Sequence, residues 1–385
     1  MITSAAVKLI STYRLKTAVR VAHIAERLSK MILNRSGQTI SGRFLLWISP
    51  EATSVLARKK IAILVSGTNG KTSTTHFLTK IVSQLGDVST NSSGSNLNWG
   101  IANALSYAAP YAVLEVDELH LSNTISAVKP KAVVLLNLSR DQLHRSHEVK
   151  RIADRWADAI SSVKECTFVI DVDDPYLNFA TRNSTSVVRV SFGGRRHLDG
   201  AVCPACGKYL NWDGGIYNCS CGLNNKNTDR TFQDGPSSYR NAILANVAGE
   251  IIGAPPLDIE FEAPDRVITK EISGSSAIIR LAKNPASWIE ALQSVNSNNV
   301  VLMVNAREVD GFDTSWLWDI SFVSLQRKKV IVCGERGLDL SYRLHIEGVE
   351  NTLVKSFEEA IEVFPVGSNI SALASYTAFF ALASN

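Results

Sequence analysis

A chain of 385 residues has room for two or three domains, each able to bury its own core, and 45% hydrophobic with 20% charged residues is ordinary for a soluble globular protein. A net charge of only +4 argues against a general nucleic-acid binder held by charge. No apolar run approaches the ~20 residues that cross a bilayer, and Lys or Arg interrupts each apolar stretch of the N-terminal "MITSAAVKLISTYRLKTAVRVAHIAERL", so neither a membrane span nor a secretory signal is expected.

Residues 1–60 form a basic arm with eleven Lys and Arg against two Glu, about +9, leaving about −5 for the rest. Its apolar residues recur at helical spacing, which predicts an amphipathic helix. Such an arm suits anionic lipid head groups, a phosphorylated substrate, an acidic partner or plain solvation. After it, "IAILVS" (61–66) reads as a buried strand, followed by a Gly-containing turn and a helix from about Thr72 to Leu85. "AVLEVD" (112–117), "AVVLLN" (132–137), "FVIDV" (168–172) and "VVRVSF" (187–192) repeat the strand pattern with helical or loop segments between. Strands alternating with helices predict an α/β fold, a largely parallel sheet covered on both faces. A Gly- and Asn-rich stretch with four cysteines interrupts at about 200–224, before a helix over "SYRNAILANVAGEIIG" (238–253).

"FEAPDR" (261–266) reads as a linker, so a central domain is expected over 61–262 and a smaller C-terminal α/β domain over 263–385. In the latter, "VVLMVNA" (300–306), "KVIVCG" (329–334) and "NTLVKSF" (351–357) are the predicted strands. Cys166 and Cys333 lie in apolar strand-like runs and are expected as buried thiols. Nothing suggests a disulfide framework, which points to a cytoplasmic chain.

"VSGTNGKTSTTHFL" sits between a strand and a helix, where unpaired backbone N–H groups and the helix dipole favour phosphate. Gly67 and Gly70 let the backbone approach phosphate closely, Lys71 can neutralise terminal phosphate oxygens, and the Thr72 hydroxyl can hold Mg²⁺. Thr68 and Asn69 complete the loop. Val65 stands where the common G-x-x-x-x-G-K-[ST] pattern has its first Gly. Glu115, Asp117 and Glu118 cluster at a predicted strand end. They are either merely solvated there or, Glu115 above all, ligands for a cation.

Cys203-x₂-Cys206, twelve residues, then Cys219-x-Cys221 offers four thiolates for a closed tetrahedral site, most simply for zinc, with no open position for catalysis. Gly207, Gly214, Gly215 and Gly222 suit two tight turns joined by a hairpin. So small a ribbon needs its ion to fold, and its expected role is to staple the insertion. A nucleic-acid reader would need basic and aromatic residues around the cysteines, yet Lys208 is the only basic residue between Cys203 and Cys221.

The spelling "GTNGKT" resembles the Mur ligase superfamily, whose members make an acyl phosphate from ATP and join an amine to it. "LEVDE" (114–118) resembles their acidic strand end, which would make Glu115 a Mg²⁺ ligand. "NLSRDQLHR" (137–145) resembles their N-x-x-x-D-H-x-D-R segment, with Gln142 where amino-acid-adding members have a metal-binding His. "IDVDDP" (170–175) resembles N-x-D-D-P. "SYRNAILA" resembles the helix beside the adenine, with Asn241 at the second Asn and Ser238 in place of the first. Arg266 is a further nucleotide-binding candidate.

The cysteine ribbon and the C-terminal motifs resemble one branch, the MurT-like ligase subunits of lipid II isoglutaminyl synthases. "LAKNPASWIEAL" (281–292) is similar to its K-N-P-A-G motif, with Ser287 for Gly. "VNAREVDGFDTSWLWDISFVSL" (304–325) is similar to its N-x-x-x-x-D-G-R-D-x-S-W-x-x-D segment, with Phe312 for Arg. The resemblance implies ATP, Mg²⁺ and a structural Zn²⁺ as cofactors. The implied reaction is amidation of the α-carboxylate of D-glutamate in lipid II or a related peptidoglycan precursor, giving D-isoglutamine. Ammonia would come from a separate GatD-like glutaminase subunit in a heterodimer. Asp313 would be supplied to that partner's Cys–His pair, although a turn or cap role is the simpler local reading. Trp316 and Trp318 are either interface aromatics or core. The basic arm would allow a peripheral contact with the inner face of the plasma membrane. An amino-acid ligase of the Mur or folylpolyglutamate type is the alternative. Gln142 and the absence of a lysine in "IADRWADAI" argue against it.

Overall fold

Short runs of Val, Ile, Leu and Ala bounded by Gly, Asn or Asp have no polar face to turn to water, and in this protein they become strands covered on both sides. A computed structural model describes residues 4–33, 37–92, 95–140, 149–193, 196–258, 267–308 and 310–384. Arg266 with its linker, and Gln142 with the 141–148 stretch, lie outside the described residues. Two compact units divide the chain. The first holds residues 1–138 and 149–261, and the second holds 139–148 and 262–385.

Among the described residues of the first unit, nine strands follow in order: β1 Ile61–Ser66, β2 Val88–Thr90, β3 Tyr111–Glu115, β4 Ala132–Leu135, β5 Thr167–Asp171, β6 Val187–Ser191, β7 Asn211–Asp213, β8 Ile216–Asn218 and β9 Arg230–Thr231. Seven form one sheet in the order β2-β3-β1-β4-β5-β6-β9, with every neighbouring pair parallel. Side chains alternate across it with period two. Leu64, Leu114, Val133 and Phe168 enter one core. Ile63, Val65, Val113 and Val134 enter the other, against helices Lys71–Val82 and Ser237–Ile251.

β1 lies between β3 and β4, and the register pairs Val65 with Glu115 and Ser66 with Leu135. The chain therefore leaves the sheet on both sides of β1 in opposite directions, which opens a crevice at the strands' C-terminal ends. β1 ends at Ser66 as expected, whereas β3, β4, β5 and β6 end one or two residues earlier than their apolar runs suggest, because the last residues of those runs already turn into that crevice. The helix after β1 stops at Val82, with Ser83 at its C-cap.

The basic arm is helical over Ser4–Leu33, Gln38–Ile48 and Ala52–Ala57, and these helices belong to the first unit. Ala18 and Ala22 pack with Leu45, Ala52 and Ala102. Ile24, Leu28 and Met31 of the first helix and Ile40, Phe44 and Trp47 of the second stay exposed. Among the described residues no helix is long and apolar enough to cross a membrane.

The second unit adds β10 Val267–Ile272, β11 Ser275–Leu281, β12 Asn299–Met303, β13 Lys329–Cys333, β14 Asn351–Leu353 and β15 Asn369–Ala374. Their order is β10-β11-β15-β12-β13-β14. All neighbours are parallel except the β10–β11 hairpin. "NTLVKSF" is a strand only through Leu353. Ser356 then caps helix Phe357–Glu362 by accepting from the Glu359 amide. Cys166 and Cys333 are buried, and burial pushes both thiols up to about 12.

Candidate functional site

Gly67 through Gly70 form a tight loop between β1 and helix Lys71–Val82. Gly67 and Gly70 have φ of 142° and 84°, a region that disfavours a side chain. A Cβ at Gly70 would also lie 2.1 Å from Asn241 Nδ2, so helix Ser237–Ile251 touches the loop where no side chain fits. Asn137, just beyond β4, holds the loop from the other side. Its carbonyl accepts from the Thr68 amide at 2.9 Å, its Oδ1 accepts from the Asn69 amide at 2.9 Å, and its Nδ2 donates to the Asn69 carbonyl at 3.0 Å. The N-terminal amides of the helix at Lys71 and Thr72 open into the same crevice, where they favour an anion.

The Lys71 side chain is only 11% exposed. Its Nζ donates to the Gly67 carbonyl at 2.6 Å and to Glu118 Oε2 at 2.9 Å. The lysine is thus folded back onto its own loop and paired with Glu118. Glu118 thus has a partner, which the acidic cluster alone did not indicate. Asp117 accepts from the Leu119 amide at 3.0 Å and closes the turn. Glu115 is 8% exposed, and its Oε1 accepts from Asn96 Nδ2 at 3.4 Å. A buried carboxylate with so long a bond, beside the strand that carries the phosphate loop, fits a divalent cation as its counter-charge.

Beyond β5 the run Asp171–Asp174 is a second organised turn. Asp174 caps helix Pro175–Thr181 through the Tyr176 amide at 2.8 Å, and its other oxygen accepts from the Leu138 amide at 2.8 Å. Asp171 pairs with Arg240, the neighbour of Asn241, and the guanidinium also lies over the Phe192 ring at 4.8 Å. Burial raises the Asp171 pKa to about 7 against the pull of Arg240. Burial also opposes charging of His197. Asp174, 3.3 Å from its Nε2, outweighs that and holds the imidazole above its usual pKa.

The four cysteines converge, with the sulfurs of Cys203, Cys206, Cys219 and Cys221 all within 4.8 Å of one another. Cys203 to Cys221 is 3.6 Å and Cys206 to Cys219 is 3.4 Å. A tetrahedral zinc with ~2.3 Å bonds sets its sulfurs ~3.8 Å apart, so the set fits that ion. The turns are those expected of a ribbon. Gly207 donates to the Cys203 carbonyl and Gly222 to the Cys219 carbonyl, each at 2.9 Å, with hairpin β7–β8 between. Burial pushes the Cys203 thiol up to about 12, whereas the Cys221 amide brings Cys219 down to about 6.

In the second unit Asp313 is exposed. It accepts from the Ser315 amide at 2.8 Å, in the turn that opens the 3₁₀ helix Ser315–Asp319. It lines a surface groove of about 630 Å³ with Trp318, Arg336, Leu338, Asp339 and Tyr342. The two tryptophans divide. Trp316 packs on Trp288 with ring centroids 6.0 Å apart, whereas Trp318 is 55% exposed. Ser287 occupies a defined place. It is the third residue of a capping box with Asn284, its hydroxyl accepting from the Asn284 amide at 3.0 Å while Asn284 Oδ1 accepts from the Ser287 amide at 3.1 Å.

With this geometry in hand, comparison with known proteins is specific. Residues 65–203 match the Mur ligase middle domain family, and residues 281–379 match the MurT ligase C-terminal family. The MurT subunit of lipid II isoglutaminyl synthase (glutamine-hydrolyzing) from Staphylococcus aureus is 26% identical over 392 residues, covering 88% of this chain and 89% of that one. Its namesake from Streptococcus pneumoniae is 26% identical, covering 84% and 86%. In fold, a pseudomurein peptide ligase type C from Methanothermus fervidus superposes with a TM-score of 0.62 at 18% identity, over 82% of this chain and 76% of that one. MurF from Acinetobacter baumannii gives 0.60 at 17%, over 90% and 79%.

Proposed function

Because the chain belongs to the Mur ligase superfamily, in its MurT-like branch, we propose that it is the ligase subunit of an amidotransferase that converts the D-glutamate α-carboxylate of a peptidoglycan stem peptide to the amide. The observation that carries the reading is the joining, in one chain, of a Mur-type phosphate loop to a second unit that matches the MurT C-terminal family.

A carboxylate is a poor electrophile at neutral pH, and phosphorylation by ATP supplies the leaving group that ammonia then displaces. In the proposed assignment Gly67, Thr68, Asn69 and Gly70 cradle the phosphates with backbone amides, and Asn241 faces the adenine. Lys71 exchanges its contact with the Gly67 carbonyl for the transferred phosphoryl group, where it absorbs charge as the bond to the leaving oxygen breaks. Glu115 and Thr72 would hold Mg²⁺, which would supply further neutralisation of the phosphates. Glu118 aims Lys71. The cysteine set holds zinc in a structural role, because four thiolates leave no coordination position for substrate.

The second unit is assigned to the partner. Asp313 stands exposed in a groove with Trp318 and Tyr342, aromatic side chains of the kind that anchor interfaces. Its carboxylate would orient the histidine of a glutaminase Cys–His pair, so that ammonia is released only in the complex. On the first unit, the exposed basic residues Arg14, Lys16 and Arg20 with apolar Ile24 and Leu28 suit a lipid surface carrying the acceptor.

The test uses Asp313→Asn in the chain co-purified with its glutaminase. Amidation driven by glutamine should fall at least about a hundredfold, while amidation driven by free ammonia stays near wild type. Equal loss of both activities would remove Asp313 from the partner's chemistry.

A further inference from the structure

The cysteine insertion and the phosphate loop meet through a single turn. On the insertion side, Tyr217 of β8 packs against Cys203 two residues before Cys219, and its hydroxyl donates to the Val172 carbonyl at 3.1 Å while accepting from Asn178 Nδ2 at 2.9 Å. Asn225, 6% exposed, clamps the same hairpin to the same turn. Its Oδ1 accepts from the Tyr217 amide at 3.0 Å, and its Nδ2 donates to the Gly215 carbonyl and to Asp173 Oδ1, each at 2.9 Å. Asp173 is otherwise filled by the Ser191 hydroxyl and the Phe192 and Gly193 amides.

On the loop side, the same four-residue run sends out two arms. Asp174 accepts from the Leu138 amide, and the adjacent Asn137 makes the three hydrogen bonds that hold Thr68 and Asn69. Asp171 holds Arg240, whose neighbour Asn241 abuts Gly70. Each contact is buried or half-buried, so none is readily replaced by water when its partner moves.

We propose that the metal-organised insertion is a positioning element for the phosphate loop, with Asn225 and Tyr217 as the positioning residues that couple cation occupancy at the cysteines to nucleotide affinity through the Asp171–Asp174 turn. The proposal rests on the nucleotide reading of residues 67–72 and assigns the insertion a task beyond its own folding. Coupling of this kind is reciprocal: whatever factor the metal contributes to nucleotide affinity, nucleotide returns to metal affinity. The route is a chain of contacts, so it stands or falls on measured coupling.

The experiment uses the full chain with zinc counted by elemental analysis and Mg²⁺-ATP affinity measured by calorimetry. Asn225→Ala leaves all four cysteines in place, so zinc should remain at one per chain while the ATP dissociation constant rises about tenfold. Tyr217→Phe removes only the hydroxyl and carries the test should the first variant fold poorly. It should raise the constant about threefold. Chelating zinc from the unmutated chain should increase amide exchange at 67–71 and 171–174 as well as at 200–225, and saturating ATP should slow zinc extraction. Exchange confined to 200–225, with ATP affinity unchanged in both variants, would overturn the proposal. A wild-type chain that binds no ATP would instead overturn the nucleotide reading beneath it.

Discussion

Lys71 shows how much one side chain's position is set by residues distant in sequence. The motif places it at the start of a helix, but its direction comes from the Gly67 carbonyl and from Glu118, 47 residues on. Lys71→Met keeps the stem and removes the charge. ATP-dependent amide formation should drop about a hundredfold or more, with an unchanged unfolding midpoint. A loss of stability equal to the loss of rate would mean that the lysine is structural. His197 gives a pH signature. Its raised pKa means the proton binds more tightly in the folded state, so its stabilisation is complete below the unfolded-state value of 6.5 and is lost as pH rises through the native value. As pH rises above 6.5, unfolding midpoints of the wild type should therefore fall more than those of His197→Gln. Parallel slopes would remove His197 from the pH dependence. At this scale the sequence was legible where chemistry is local. Gly67, Gly70 and Lys71 announce themselves by spacing. Asn137 and the Asp171–Arg240 pair do not, because their meaning depends on the neighbouring order β1-β4-β5, which spacing along the chain does not encode.

Elements were legible where burial goes with an unbroken run of large aliphatic residues; β15, buried but spelled "NISALA" with Ser and Ala diluting the run, was missed. The strands around β1 are buried on both faces, so their composition alone marks them, and only their ends were misjudged where apolar residues run on into the crevice. The β10–β11 hairpin was missed because one face of β10 is wet and its sequence "VITKEI" alternates rather than running apolar. Its turn, Ser273 at φ 51° and Gly274 at φ 74°, is the left-handed pair that twisted hairpins favour, and that was the available signal. Ser287 appeared as a departure from a family motif and proves to be half of a capping box on helix Pro285–Gln293. Ser287→Ala should cost about 1 kcal/mol in denaturant unfolding. Ser287→Gly, the family's own residue, removes the same hydroxyl and should cost at least as much. No change for either would mean that the Asn284 cap carries the helix start alone.

For the whole molecule, the division of labour follows from which chemistry each unit can house. The first unit places a glycine loop, a lysine and a buried carboxylate at one end of a parallel sheet, and so has what phosphoryl transfer to a carboxylate requires. The second presents an exposed aspartate in an aromatic-lined groove. Fold class and ribbon were legible from the chain because both rest on spacing. Whether the acceptor is lipid-linked or soluble was not, since no residue pattern among the described residues distinguishes the two. The most direct measurement is an isotope transfer. The α-carboxylate of the D-glutamate residue in lipid II is labelled with heavy oxygen and incubated with the purified chain, Mg²⁺-ATP and ammonia. The account predicts one labelled oxygen in inorganic phosphate for every amide formed. Amide formed without label in phosphate, or ATP consumed only when an amino acid replaces ammonia, would contradict it.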